Sequence, residues 1–135
     1  MKTTIVTLAI LAALVGSRAY ADCVYPKAPT NIPDGTTSTL QQMLAGESAV
    51  KAYNADIKAY TDCLKLEHDQ ALSKADPTKM TPQEKQAYAA RKTELDNILI
   101  QKNDAAVDEA TAVTNRFNEQ VRIFKAAHAS QKSKG

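Results

Sequence analysis

An apolar heptad pattern between Ser38 and about Lys74 constrains this chain more than any other feature. Met43, Val50, Ile57, Leu64 and Ala71 recur seven apart, and Gly46, Tyr53 and Tyr60 form a companion row three residues on. Residues spaced this way share one helix face, so the pattern predicts a long amphipathic helix whose stripe another element must cover. The chain supplies a partner of its own. Thr81, Pro82 and Glu84 combine a capping box with a proline at the first helical position. No glycine or proline then occurs from Gln83 to Lys134, and Tyr88, Leu95, Leu99, Ala106, Ala110, Val113, Phe117, Val121 and Phe124 keep helical spacing.

Pro77 ends the first helix, and the connection to the second is short, which predicts an antiparallel hairpin. The expected class is all-α: a long, coiled-coil-like two-helix hairpin over residues 38–129, with helices at 38–74 and 82–129, a loop at 75–81 and a disordered tail at 130–135. Ser38 with Gln41 has the form of the first helix's capping box. Reflecting the chain about the loop sets Leu64 against Leu95, Ile57 against Ile98 and Leu99, Val50 against Ala106, and Met43 against Val113. Many seam residues of the second helix are alanines, so a bare hairpin would bury little and be marginal.

Residues 1–21 read as a cleavable export signal. Lys2 precedes an apolar run from Ile5 to Val15 that is short for a bilayer span, and Ala19-Tyr20-Ala21 has the small-x-small form of a cleavage site. Asp22 before Cys23, and Tyr20, do not fit a lipoprotein signal. Lys2 and Arg18 would leave with the leader, so the formal +2 charge falls to near neutral. With no tryptophan as well, composition argues against nucleic-acid binding. No other apolar run approaches spanning length, so no integral membrane anchor is expected.

Residues 22–37 form a proline-rich arm. Pro26, Pro29 and Pro33 exclude regular helix and favour extended backbone, and Asp34-Gly35 supplies a turn. The chain has two cysteines, Cys23 in this arm and Cys63 in the first helix. Cys63 lies roughly 37 Å along that helix, and the residues between Cys23 and Ser38 reach roughly 50 Å when extended. An intramolecular Cys23–Cys63 bridge is therefore feasible and would lay the arm over the seam. An intermolecular disulfide and a reactive thiol remain as alternatives. Gly46, on the seam, marks close approach of another backbone or of the returning arm.

A resemblance rests on Cys23-x-x-Pro26-x-x-Pro29, Ile32-Pro33-Asp34-Gly35, Met43, Val50-Lys51-x-Tyr53 and Tyr60-x-x-Cys63-Leu64. Residues 23–64 resemble a group of small exported bacterial helical proteins. That resemblance implies the pairing of Cys23 with Cys63 and a periplasmic or other envelope location, and it carries no activity.

Little in the chain suggests catalysis. There is no Cys-x-x-Cys, Cys-x-x-Cys-His, His-x-x-x-His, glycine-rich phosphate loop or nucleophile elbow. The two histidines, His68 and His128, are far apart, and the Asp104, Asp108, Glu109 patch reads as a solvated helix face. Neither a catalytic residue nor a resident metal or cofactor is expected. Tyr53 and Tyr60 read as half-buried core residues rather than a ligand platform. In the reflected register Phe117, Val121, Ile123 and Phe124 reach or overhang the start of the first helix. Either the arm covers them or they form a partner-binding strip. The expected role is a non-enzymatic envelope protein acting through contacts with a second copy or another envelope protein. The alternative is a small-ligand or metal-binding bundle using His68, Tyr53, Tyr60 and nearby carboxylates.

Overall fold

A computed structural model describes residues 23–132 of the chain. The expected leader at 1–21, Asp22 and residues 133–135 lie outside the described residues. Two packed helices form the body: α1 spans Leu40–Ser73 and α2 spans Pro82–Lys132, joined through a single 3₁₀ turn at Pro77–Lys79. Their apolar rows merge into one core, with Met43, Val50, Tyr53, Ile57, Tyr60 and Leu64 from α1 meeting Ala106, Val113 and Phe117 from α2. The fold is thus the expected all-α hairpin, and the described residues contain no strand. None of the described helices is long and apolar enough to cross a membrane.

Local chemistry sets the helix ends. At α1 the cap is Thr39 rather than Ser38: Thr39 Oγ1 accepts from Gln42 N at 3.2 Å, and Thr39 N donates to Gln42 Oε1 at 2.7 Å. Both serine and threonine have glutamine three residues on, so spacing alone does not choose between them. The preceding turn does, because Ser38 N already donates to the Asp34 carbonyl at 3.0 Å. Its amide is then unavailable for the reciprocal half of a capping box. At α2 the expected box is present, with Thr81 N donating to Glu84 Oε2 at 2.7 Å and Glu84 N donating to Thr81 Oγ1 at 3.3 Å. Lacking any glycine or proline to stop it, α2 runs on past residue 129 to Lys132.

The register differs from simple reflection. Pairing Met43 with Val113 would set Thr114 beside the start of α1. Instead Asn54 Nδ2 donates to Thr114 Oγ1 at 3.1 Å, and Phe117 lies against Gly46. The helices are displaced by roughly two turns from the reflected pairing. In this register the connection does not reverse the chain at its midpoint. Ala87 and Tyr88 of α2 share a cleft with Ala75 and Met80 of the connection, so the opening turns of α2 run beside the connection as well as α1.

The arm is the third layer. It passes back over the seam, and Cys23, Ala28 and Ile32 pack against the core. Gly46 is its notch. A Cβ built there would lie 2.5 Å from Pro33 Cγ, 2.6 Å from Pro33 Cδ and 3.0 Å from Phe117 Cε2. In an exposed helix, Gly→Ala would add about 1 kcal/mol of stability. Here Gly46→Ala must displace a proline ring, and we expect the opposite sign, a loss of about 1–3 kcal/mol typical of overpacking. Urea denaturation of the two proteins, compared at equal m-value, checks the sign.

Candidate functional site

The clamp joins the arm to α1. Cys23 and Cys63 form a disulfide, with their Cα atoms 5.8 Å apart and 40 residues apart in sequence. Of the alternatives left open by the sequence, the intramolecular bridge is the one formed. Glu67, one helical turn beyond Cys63, turns its carboxylate toward the bridge, and Cys23 N donates to Glu67 Oε1 at 3.1 Å. The two sulfurs and a Glu67 oxygen all lie within 4.8 Å of one another in a half-buried setting.

Next along the arm, Tyr25 sits edge-on to Tyr60 with ring centroids 5.0 Å apart, and its hydroxyl donates to Glu109 Oε2 at 2.6 Å. That hydrogen bond, aided by burial, pushes the Tyr25 phenol well above its ordinary pKa, and burial raises that of Tyr53. Both phenols therefore stay protonated near neutral pH. Tyr53 is 3% exposed and Tyr60 is also buried, rather than half-buried as expected, because the arm lies across them. Further along, Gly35 N donates to Gln120 Oε1 at 2.8 Å. A Cβ at Gly35 would collide with the Gln120 carbonyl oxygen and crowd Phe124 N, so the arm's turn lies directly on the α2 backbone.

These contacts revise the candidate partner strip. Phe117 is buried, Val121 and Phe124 pack against the core, and Ile123 is half-buried with its Cβ beside Gly35. The four residues do not form an open surface. The displaced register draws Phe117 inside the hairpin against Gly46, and the arm's turn caps the residues beyond it.

Among the described residues, nothing covers the opposite end of the hairpin in this way. Past Leu64 the seam continues as a cleft of about 230 Å³ lined by Leu64, Glu67, His68, Ala71, Leu95, Ile98, Leu99 and Lys102. Ile98 at its edge is 41% exposed. His68 has one ring nitrogen 2.7 Å from Asp96 Oδ1 across the helix pair and the other 3.2 Å from Asp69 Oδ1. Lys92 in turn meets Asp96 Oδ2 at 2.6 Å. The carboxylates of Asp69 and Asp96 raise the His68 pKa, while Lys92 first and His68 second hold the Asp96 carboxyl below its usual range.

The ligand set considered for a small-molecule bundle is divided. His68 lines the cleft, and the lining includes neither Tyr53 nor Tyr60, which lie beneath the arm. His128 bonds locally, with its Nδ1 2.9 Å from the Phe124 carbonyl. Within the acidic patch Glu109 is engaged by Tyr25, and Asp104 and Asp108 are exposed. Sequence reasoning did not find the partners of Glu67, Tyr25 and Glu109. For Glu67 a signal existed, its i+4 spacing from Cys63; Tyr25 and Glu109 meet only once the arm and the register are known.

Fold and site together define a helical hairpin with an extended arm locked by one disulfide. Comparison of the chain with protein-family models, curated proteins and solved structures returns no match.

Removing the clamp should be costly. Freeing a loop of this separation by Cys23→Ser with Cys63→Ser is expected to lose about 4 kcal/mol on the chain-entropy estimate, read from urea midpoints. The His68 pair predicts a pH dependence. Its folded pKa lies above the unfolded value, so its contribution is full below the unfolded pKa and fades as pH rises through the folded one. The stability gap between wild type and His68→Gln should therefore be wider at pH 5.5 than at pH 8.5; an equal gap at both would show that the pair does not titrate with folding.

Proposed function

We propose that this chain is an exported, non-enzymatic protein of the bacterial cell envelope that works through protein–protein contacts at the tip of its hairpin. The leader-like residues 1–21 support export, and a disulfide between the chain's two cysteines suits an oxidising compartment. The observation that carries the contact reading is the uncovered continuation of the seam. One half of the hairpin has the arm as a third layer. The other half has a groove walled by Leu64, Ala71, Leu95, Ile98 and Leu99, with no element of the described chain lying in it.

Such a groove between two helices suits the apolar face of a third, presented by another envelope protein or by the tip of a second copy. Surrounding charges of both signs, Glu67, His68, Asp96 and Lys102, provide a polar rim of the kind that orients a docking helix. A small-ligand reading has one observation in its favour, the same rim of ionisable groups around apolar walls. The space of about 230 Å³ is below the usual range for drug-sized ligands, roughly 300–1,000 Å³, which favours a docking side chain or helix face.

Photo-crosslinking in the exporting cell tests the contact reading. A photoreactive residue at Ile98 is expected to give discrete adducts with one partner chain or with a second copy, and the same residue at exposed Val24 on the arm is expected to give none. Adducts at Val24 alone, or none at either position, would count against the tip as the working surface.

A further inference from the structure

The clamp holds more chemistry than a disulfide uses. Cys63 and Glu67 are one turn apart on the same ridge of α1, the spacing by which a helix directs two ligands at one point. The arm brings Cys23 to the same point from outside the helix. The hydrogen bond from Cys23 N to Glu67 Oε1, at 3.1 Å, fixes the carboxylate beside the sulfurs. All three ligand atoms lie within 4.8 Å of one another. We propose that in the reduced chain Cys23, Cys63 and Glu67 bind a zinc ion, so that the arm is closed by a disulfide when oxidised and by a metal when reduced.

The geometry requires little motion. In a tetrahedral zinc site, with Zn–S near 2.3 Å and Zn–O near 2.0–2.2 Å, neighbouring ligand atoms are separated by roughly 3.3–3.8 Å. The Glu67 oxygen is already within reach of that spacing. The sulfurs must part from a bonded pair to a non-bonded one, and Cys23, at the outer end of the arm beside exposed Val24, can give way. Cα atoms 5.8 Å apart suit both arrangements. All three residues are half-buried, which leaves a fourth position for water. The donor set selects the metal. Two thiolates disfavour magnesium and calcium, and a carboxylate disfavours copper(I), whereas zinc takes sulfur and oxygen together.

The exchange balances with a dithiol reductant. Two electrons and two protons from the dithiol convert the Cys23–Cys63 bond to two thiols while the reductant closes to its own disulfide. Zinc then binds both sulfurs as thiolates, and the two thiol protons pass to solvent. A disulfide oxidant reverses the sequence by thiol–disulfide exchange: it takes up two electrons and two protons to become a dithiol, Cys23 and Cys63 rejoin, and the ion is expelled.

The test uses the mature chain in both redox states, with zinc chloride titrated against a chromogenic chelator. The reduced protein is expected to take one zinc per chain, and the oxidised protein none in the same concentration range. Cobalt(II) in place of zinc should show thiolate-to-metal absorption in the near ultraviolet and the visible bands of a tetrahedral ion. Glu67→Gln keeps both thiols and the clamp, and is expected to weaken zinc binding tenfold or more. Zinc should also raise the thermal midpoint of the reduced protein, since the ion binds the closed arm. Unchanged affinity in Glu67→Gln, absence of the cobalt–thiolate band, or equally tight binding by the oxidised chain would each overturn the proposal. These readouts are independent of whether the hairpin tip binds a partner.

Discussion

A two-helix hairpin cannot cover the apolar stripe of either helix by itself, and every unusual feature of this molecule answers that shortage. The stripe of α1 is two rows wide. Its central row, Met43, Val50, Ile57 and Leu64, joins the core shared with α2, while in the companion row Gly46 lies against both Phe117 of α2 and Pro33 of the arm, and Tyr60 meets Tyr25 of the arm. Alanine at 106 and 110 lets the helices approach closely, at the cost of contributing little area each. Covering the two tyrosines therefore falls to the arm. Burying a tyrosine side chain is worth a few kcal/mol, comparable to the whole net stability of a small domain. A flexible arm would forfeit much of that gain to ordering entropy, and the disulfide removes part of this cost by restricting the unfolded chain.

An extended segment lying on helices has a second problem, which is where its backbone donors go. Among the described residues no strand lies alongside to pair with it, and helix backbones are already bonded internally. The arm meets this with composition. Pro26, Pro29 and Pro33 have no N–H to satisfy, and they favour the extended conformation in advance. At five other points side-chain or turn acceptors take the donor: Glu67 for Cys23, Gln120 for Gly35, the Asp34 carboxylate for Thr36 and Thr37, and the Asp34 carbonyl for Ser38. Pro33 and Gly35 also supply the tight fits, one ring in the Gly46 notch and one Cβ-less residue on the α2 backbone. Spacing of prolines and glycines in this arm is thus a packing code as well as a conformational one.

The sequence made the elements legible because each is specified locally. Heptad spacing, Pro77, and the Thr81-Pro82-Glu84 start all act within a few residues, and the two cysteines left few pairings. Register was not legible, since an alanine-rich seam offers several nearly equivalent pairings and reflection about the loop assumes a symmetric reversal. What fixes the true register is a pair of specific fits, Phe117 into Gly46 and Asn54 to Thr114, neither of which has a periodic signature. The misplaced strip followed from the same assumption. Phe117 to Phe124 overhang only if α2 is set two turns too far. Similarly, His68 could be read as a lone surface histidine until the register placed Asp96 opposite it.

The correction moves the incomplete part of the core from one end of the hairpin to the other. At the arm's end, a disulfide, a tyrosine–carboxylate bond and a backbone-tight turn close the seam. At the tip, the same seam runs on between Leu64, Leu95 and Leu99 with no other element of the described chain over it. Glu67 stands on the boundary between the two. It lines the open cleft, and it also accepts the hydrogen bond from Cys23. Held by that arm donor, its carboxylate is oriented toward the clamp. The bond between Cys23 and Cys63 therefore sits beside a residue of the cleft's rim, so that the clamp and the cleft meet at one side chain.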